Sequence, residues 1–156
     1  MFAEKIMVTH VITAQEHELV GDVHAKMTHE KLRMLPVVDN DGVVKGLLST
    51  FSIMENIIPD YLISGDLNQI SYAPDLGILS KRYEEVIHKP ICDLVDTSPL
   101  LVAKDESLLS VAAAIAAHGK HEYALVVDKH KKLLGVISAG DILNRLEQKT
   151  SEVNDA

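Results

Sequence analysis

The sequence predicts an α/β chain of the α+β type: two tandem strand–helix–strand–strand–helix units with a helical insertion between them. Three observations carry this. The first is an internal duplication. Gly46 and Gly135 lie 89 residues apart, as do Asp39 and Asp128, Ser49 and Ser138, and Ile53 and Ile142. Laid without a gap over 124–143, residues 35–54 are identical at Val37, Val38, Asp39, Gly46, Ser49 and Ile53, and the apolar and polar classes agree at most other positions. The second is a pair of hairpin signatures, "LPVVDNDGVVKGLLS" and "ALVVDKHKKLLGVIS", each two apolar runs around a polar turn. The third is helical periodicity before and after each hairpin.

The elements follow in order. "HVIT" (10–13) reads as a short strand and His17 to His29 as a helix, followed by the first hairpin and a second helix over Ser52 to Ile58. Ile57 to Pro90 is not a Gly/Ser spacer. Within it, "DLGILSKRYEEVIH" puts Leu76, Leu79, Tyr83, Val86 and Ile87 on one stripe, which predicts a helix packed on the module, with a lid or docking arm as the weaker alternative. "PLLVA" is the second copy's opening strand. The helix Ser107 to His118 is rich in Ala, which suits close packing. The second hairpin and a helix over Asp141 to Leu146 complete the repeat. The polar stretch from Lys149 to Ala156 is expected to fray. The divisions are thus 1–58, 59–89, 90–148 and 149–156.

Composition narrows the function. Of 156 residues, 47% are apolar, enough for a real core, but only 4% are aromatic, so that core is aliphatic. The net charge of −8 opposes nucleic-acid binding, which needs a basic footprint. Cys92 is the only cysteine, so an internal disulfide and a Cys-based zinc site are excluded, and a lone thiol suits a reducing cytoplasm. No run of 18 apolar residues and no signal layout occur, so a membrane span is not expected. Eight histidines include no H-E-x-x-H pair. "GVISAG" spaces its first Gly wrongly for a nucleophile elbow, and neither a Walker A run nor G-x-G-x-x-G is present. No catalytic residue and no metal site are assigned, and an enzyme is not expected. The basic stretch "DKHKKL" (128–133) reads as a solvated hairpin tip, with a docking spot for an acidic partner as the weaker alternative.

Ser138 and Asp141, at the end of "LLGVISAGD", leave two readings open. Their spacing is that of a capping box, in which the Ser oxygen accepts a free amide at a helix start. A helix N-terminus is also where phosphate is favoured, and a carboxylate one turn in accepts both hydroxyls of a ribose. Gly135 and Gly140 are expected to let the backbone come close to a ligand.

The duplicated order, with "LPVVD" and "GLLSTFS" in one copy and "LVVD" and "GVISAGD" in the other, resembles the cystathionine β-synthase (CBS) domain family over about 1–58 and 90–148. The resemblance implies two repeats packed through their sheets about a pseudo-two-fold axis, with adenosine-containing ligands in the clefts between them. It also implies pairing into a homodimer and regulation of an effector protein. On that basis Asp141 would hold the ribose of an adenine nucleotide (AMP, ADP or ATP, with or without magnesium) and Ser138 the ribose or phosphate. Val8 and Ile12 would wall the adenine, and Leu32 and Arg33 would complete the cleft, Arg33 facing phosphate with its planar fork. The sister cleft would use Ser49, Ser52, Leu101 and His121. Ser52 stands there in place of the ribose-binding Asp and Glu122 would repel phosphate, so this site is expected to be weaker or altered. The alternative is a ligand-free dimerisation or docking module in which Ser138 and Asp141 only cap a helix.

Overall fold

A computed structural model describes residues 1–60 and 76–154. The first repeat contains α1 (Val20–His29), β1 (Met34–Val38), β2 (Val44–Ser49) and α2 (Thr50–Ile57). The insertion contributes α3 (Leu76–Val86); its residues 61–75 lie outside the described residues. The second repeat contains β3 (Leu101–Ala103), α4 (Leu108–His118), β4 (Tyr123–Val127), β5 (Leu133–Ser138) and α5 (Ala139–Asn154).

Both hairpins form, and they match bond for bond. β1 pairs antiparallel with β2 and β4 with β5, each with a register shift at its end, between Val37 and Val38 and between Val126 and Val127. In the first turn Asp39 Oδ1 accepts from the amides of Asp41 and Val43; in the second Asp128 Oδ1 accepts from His130 and Lys132. Gly42 holds the positive φ of the first turn, and Lys131 adopts it in the second at φ 62°.

The opening strands differ, and one proline accounts for it. β3 runs parallel to β4, and Leu125 N donates to Leu100 O at 2.9 Å. The position matching Leu125 in the first repeat is Pro36, which has no N–H to give. The strand expected at 10–13 is therefore absent, and pairing shrinks to one bridge at Ala14, held by Ala14 N to Pro36 O and Val38 N to Ala14 O. The tail also departs from expectation. α5 continues to Asn154, because "LEQKTSE" is composed largely of helix formers and Thr150 Oγ1 donates back to Leu146 O at 3.1 Å.

Each repeat is completed by a segment from elsewhere in the chain. Ala3 is fully buried in the second repeat's core with Val102, Val111, Ala124 and Ile137, and Ile6 and Met7 pack beside it. Ile91 and Leu94 lie in the first repeat's core with Val23, Met27, Leu35 and Leu48. Val8 exchanges both backbone hydrogen bonds with Val136, and Asp96 does so with Leu47. These arms run directly over the strand glycines: a Cβ on Gly46 would stand 2.5 Å from Asp96 O, and one on Gly135 would stand 2.8 Å from Val8 O. The space expected beside Gly135 for a ligand is thus filled by the chain's own arm. Between the sheets, buried Leu47, Leu125 and Val136 join Val11, Met34, Leu101 and Tyr123 in one cluster. The hairpin tips meet through Val44 N to Lys131 O and its mate Leu133 N to Gly42 O, the reciprocal pattern of a pseudo-two-fold axis.

The duplication runs in two registers. Buried Val23 and Met27 match Val111 and Ile115 at an offset of 88, whereas the hairpins match at 89. The additional residue lies in the turn after α4, where Gly119 adopts φ 69°. His29 consequently aligns with Ala117.

Candidate functional site

Ser138 ends β5 and Asp141 sits in the first turn of α5. Ser138 N donates to Asp141 Oδ2 at 2.9 Å, and Asp141 N donates to Ser138 Oγ at 3.1 Å. This is a reciprocal capping box, which fixes the Asp141 rotamer and leaves Oδ1 without a hydrogen bond among the described residues. Tyr123 lies opposite Ser138 across the β4–β5 ladder. Burial, then the charge of Asp141, push its phenol well above the usual range, so it stays a proton donor.

A cavity of about 350 Å³ opens beside this turn. Asp141, Asn144, Arg145 and Gln148 line it from α5, and Met1, Lys5 and Ile6 line it from the N-terminal arm. The Nε–H of Arg145 is buried there without a hydrogen-bond partner. The wall therefore pairs one carboxylate with two cations, and one of those presents an unmet donor.

The first repeat carries the matching turn at Ser49 and Ser52, also a capping box: Ser52 N donates to Ser49 Oγ at 3.0 Å, and Ser49 N to Ser52 Oγ at 3.4 Å. Its cavity, of about 520 Å³, has the opposite electrostatics. Glu55, Asn56 and Asp93 stand where the other has Asn144, Arg145 and Lys5, and Asp96, Lys120 and His121 add to the lining. His121 Nε2 lies 2.9 Å from Asp96 Oδ2, and Asp96 Oδ1 accepts from Ser98 N. Burial would raise the Asp96 carboxyl. The Ser98 amide and the His121 imidazole, with Lys120 nearby, outweigh burial and hold it below its ordinary value of 3.8. A depressed carboxyl stabilises the fold above its unfolded value, and that contribution fades as the pH falls through the lower folded one. The Asp96→Asn variant should accordingly lose less stability than the parent between pH 7 and pH ~3 in urea unfolding; an equal or larger loss would contradict this sign.

The remaining expected residues scatter. Arg33 is exposed and lines a smaller cavity with Ser49, Thr50, Phe51, Lys120, His121 and Glu122, not with Asp141. Leu32 packs against the first repeat's core. Val8 is bonded through its backbone to Val136, and Ile12 is half-buried; neither lines a described cavity. Leu101 packs between the sheets and borders a cavity at the β3 edge, apart from Ser49 and Ser52. Lys5, Ile6, Arg145 and Tyr123 were not singled out from the sequence. Arg145 was accessible to it, being four residues after Asp141 and so on the same helix face. No group of three or more His, Cys, Asp or Glu among the described residues is placed to hold a metal ion. No helix among them is long and apolar enough to cross a membrane.

The CBS domain model matches residues 3–59 and 91–148. The chain belongs to the CBS domain family. This CBS pair is 25% identical over 144 residues to the chloroplastic CBS domain-containing protein CBSX2 of Arabidopsis thaliana, covering 88% of this chain and 59% of that one. The chain thus spans a little over half the length of that relative. The structure of CBSX2 in complex with AMP superimposes with a TM-score of 0.73 at 20% identity, covering 96% and 98% of the two chains. A CBS domain-containing protein from Bacillus anthracis gives 0.75 at 16% identity over 96% and 94%. The CBS domain pair of protein MJ0100, in complex with 5′-methylthioadenosine and S-adenosyl-L-methionine, gives 0.68 at 16% over 96% and 98%. These likenesses establish the paired α+β fold.

Proposed function

We propose that this CBS pair is a regulatory ligand-sensing module that binds an adenine nucleotide beside the α5 turn and signals occupancy to a partner protein. The observation that carries the reading is the company of Asp141: one cavity joins it to Lys5 and to Arg145 with its unmet Nε–H. A carboxylate fixed by a cap suits a ribose diol. Two cations and the amino end of a 16-residue helix suit phosphate. The AMP seen on CBSX2, and the adenosyl compounds seen on MJ0100, support an adenosine-containing ligand. The first-repeat cavity, with Glu55, Asp93 and Asp96 on its wall, is the poorer host for phosphate. Because Lys5 and Ile6 belong to the arm that seals the second repeat, a bound nucleotide would tighten that arm, shifting the population toward the docked state by its differential affinity. Any magnesium would arrive with the nucleotide, since Asp141 is the one carboxylate on this cavity's wall.

Thermal unfolding with AMP, ADP, ATP, S-adenosylmethionine and GTP, each with and without magnesium, tests this. A ligand of the folded state at 100 times its Kd adds about 2.7 kcal/mol, a clear rise in Tm. A rise with an adenine nucleotide supports the reading, and no rise with any compound defeats it. The second reading, a docking module without ligand, is favoured by the cap itself: Ser138 and Asp141 bond to one another as a reciprocal helix cap, a role that is complete in itself.

A further inference from the structure

We propose that the open end of the β3–β4 pair is a second binding site, one that takes a small monocarboxylate carrying an aliphatic chain. A cavity of about 550 Å³ lies there, within the range that holds small-molecule ligands. Its wall is apolar: Leu101, Val102 and Ala103 come from β3, and Val127 from the end of β4. β3 is an edge strand, so no further strand of its sheet covers this wall.

The first repeat shows the same place closed. There Gln15 Nε2 donates to Asn40 Oδ1 at 2.9 Å, and the two side chains span the gap between the opening segment and the hairpin turn. By the two registers of the duplication, Ala103 matches Gln15 and Lys129 matches Asn40. The methyl of Ala103 cannot reach across, and a lysine in the place of Asn40 offers no acceptor. Two substitutions thus leave open in one repeat what the other repeat fills.

The rim sets the charge of the occupant. Lys104 stands where the first repeat has Glu16, and Lys129 where it has Asn40, so both changes make this rim more positive. Neither ammonium has a hydrogen bond or an ion pair among the described residues. Of the two carboxylates on the rim, Asp128 is engaged in its own turn, its Oδ1 accepting from His130 N and Lys132 N. Asp105, in the place of His17, is exposed to solvent. Two unpaired ammonium groups at the mouth of an apolar cavity suit a carboxylate head with its chain directed inward. An alkylammonium would be repelled by the lysines, and an alcohol would leave their charge unmatched. The site is separate from the nucleotide cavity, because Val127 lies four residues, about 13 Å, along β4 from Tyr123, the residue that faces Ser138.

Isothermal titration of the full chain with octanoate, hexanoate, octan-1-ol and octylamine tests the site, with far-UV circular dichroism to verify the folding of each variant. Octanoate should bind, and roughly tenfold more tightly than hexanoate, since each buried methylene is worth about fourfold in affinity. Octan-1-ol and octylamine should both bind more weakly than octanoate by about tenfold or more. Ala103→Gln combined with Lys129→Asn rebuilds the pair found in the first repeat and should abolish octanoate binding, while any thermal shift given by a nucleotide persists. Lys104→Gln should weaken octanoate by about tenfold, the loss of one charge-assisted hydrogen bond, and leave octan-1-ol as it was. No octanoate binding by the parent, octylamine bound as tightly as octanoate, or octanoate affinity unchanged by these substitutions would each overturn the site. The two readings fail separately, because nucleotides that give no thermal shift leave the octanoate titration as it is.

Discussion

Asp141→Ala should reduce adenine-nucleotide affinity by a factor on the order of 100 or more while leaving the fold intact. A carboxylate that accepts two ribose hydroxyls makes two hydrogen bonds to a charged group, each worth about 1.5–3 kcal/mol. Every 1.4 kcal/mol is tenfold in affinity. The structural cost is smaller, since loss of the reciprocal cap with Ser138 amounts to about 1 kcal/mol. Isothermal titration with the nucleotide that gives the largest thermal shift reads the first effect, and urea unfolding reads the second. Asp141→Asn separates the roles, because an amide oxygen can still accept from Ser138 N but carries no charge. If both variants bind as the parent does, Asp141 only caps the helix and the nucleotide site lies elsewhere. Lys5→Ala and Arg145→Ala should weaken nucleotides more than adenosine, a contrast that a purely structural role would not produce.

Much of this site was legible in the sequence because its chemistry is local. Ser138 and Asp141 are three residues apart, so a capping box and a fixed carboxylate follow from spacing alone, and the same holds for Ser49 and Ser52. What spacing could not reveal is which distant segment walls the turn. Arg33 was a sound choice by chemistry, yet it stands beside Ser49, Phe51 and His121, and the cations next to Asp141 are Lys5 and Arg145. The opposed polarity of the two cavities is likewise a property of the arms. Lys5 and Asp93 occupy matching places, but nothing local to either marks it as a cavity wall.

The fold shows the same division. Hairpins, helices and the repeat were readable because each is set by short-range pattern, down to the Asp39 and Asp128 turns. The opening strand of the first copy was misread because "HVIT" has strand composition, whereas its pairing depends on an amide that Pro36 lacks, two dozen residues away. The exchange of arms was not readable, since Ala3 and Ile91 are unremarkable apolar residues whose burial depends wholly on long-range docking. The trace it did leave in the sequence is the glycine of each repeat motif.

That trace yields the second large effect. Gly46→Ala should destabilise the chain by about 3 kcal/mol, the upper part of the range for an overpacked core, and more than Gly135→Ala. Both glycines lie in strands crossed by an arm, and neither has a positive φ, so the demand is for space rather than backbone freedom. At Gly46 the new methyl meets the Asp96 carbonyl at 2.5 Å, along with the side chain of Val95. That carbonyl cannot retreat cheaply, because Leu47 N donates to it at 2.9 Å and Asp96 N donates back to Leu47 O. At Gly135 the nearest backbone atom is 2.8 Å away, and the other close atoms belong to Met7, whose flexible side chain can swing aside. The arms therefore predict the order parent, Gly135→Ala, Gly46→Ala in falling urea midpoint. Displacing 91–96 from β2 would also uncover Ile91 and Leu94, so the Gly46 variant should show faster hydrogen exchange at Leu47 and Asp96 than elsewhere in the first repeat. Equal midpoints for the two variants, or exchange spread evenly over the repeat, would mean that the crossing arms are not what these glycines accommodate.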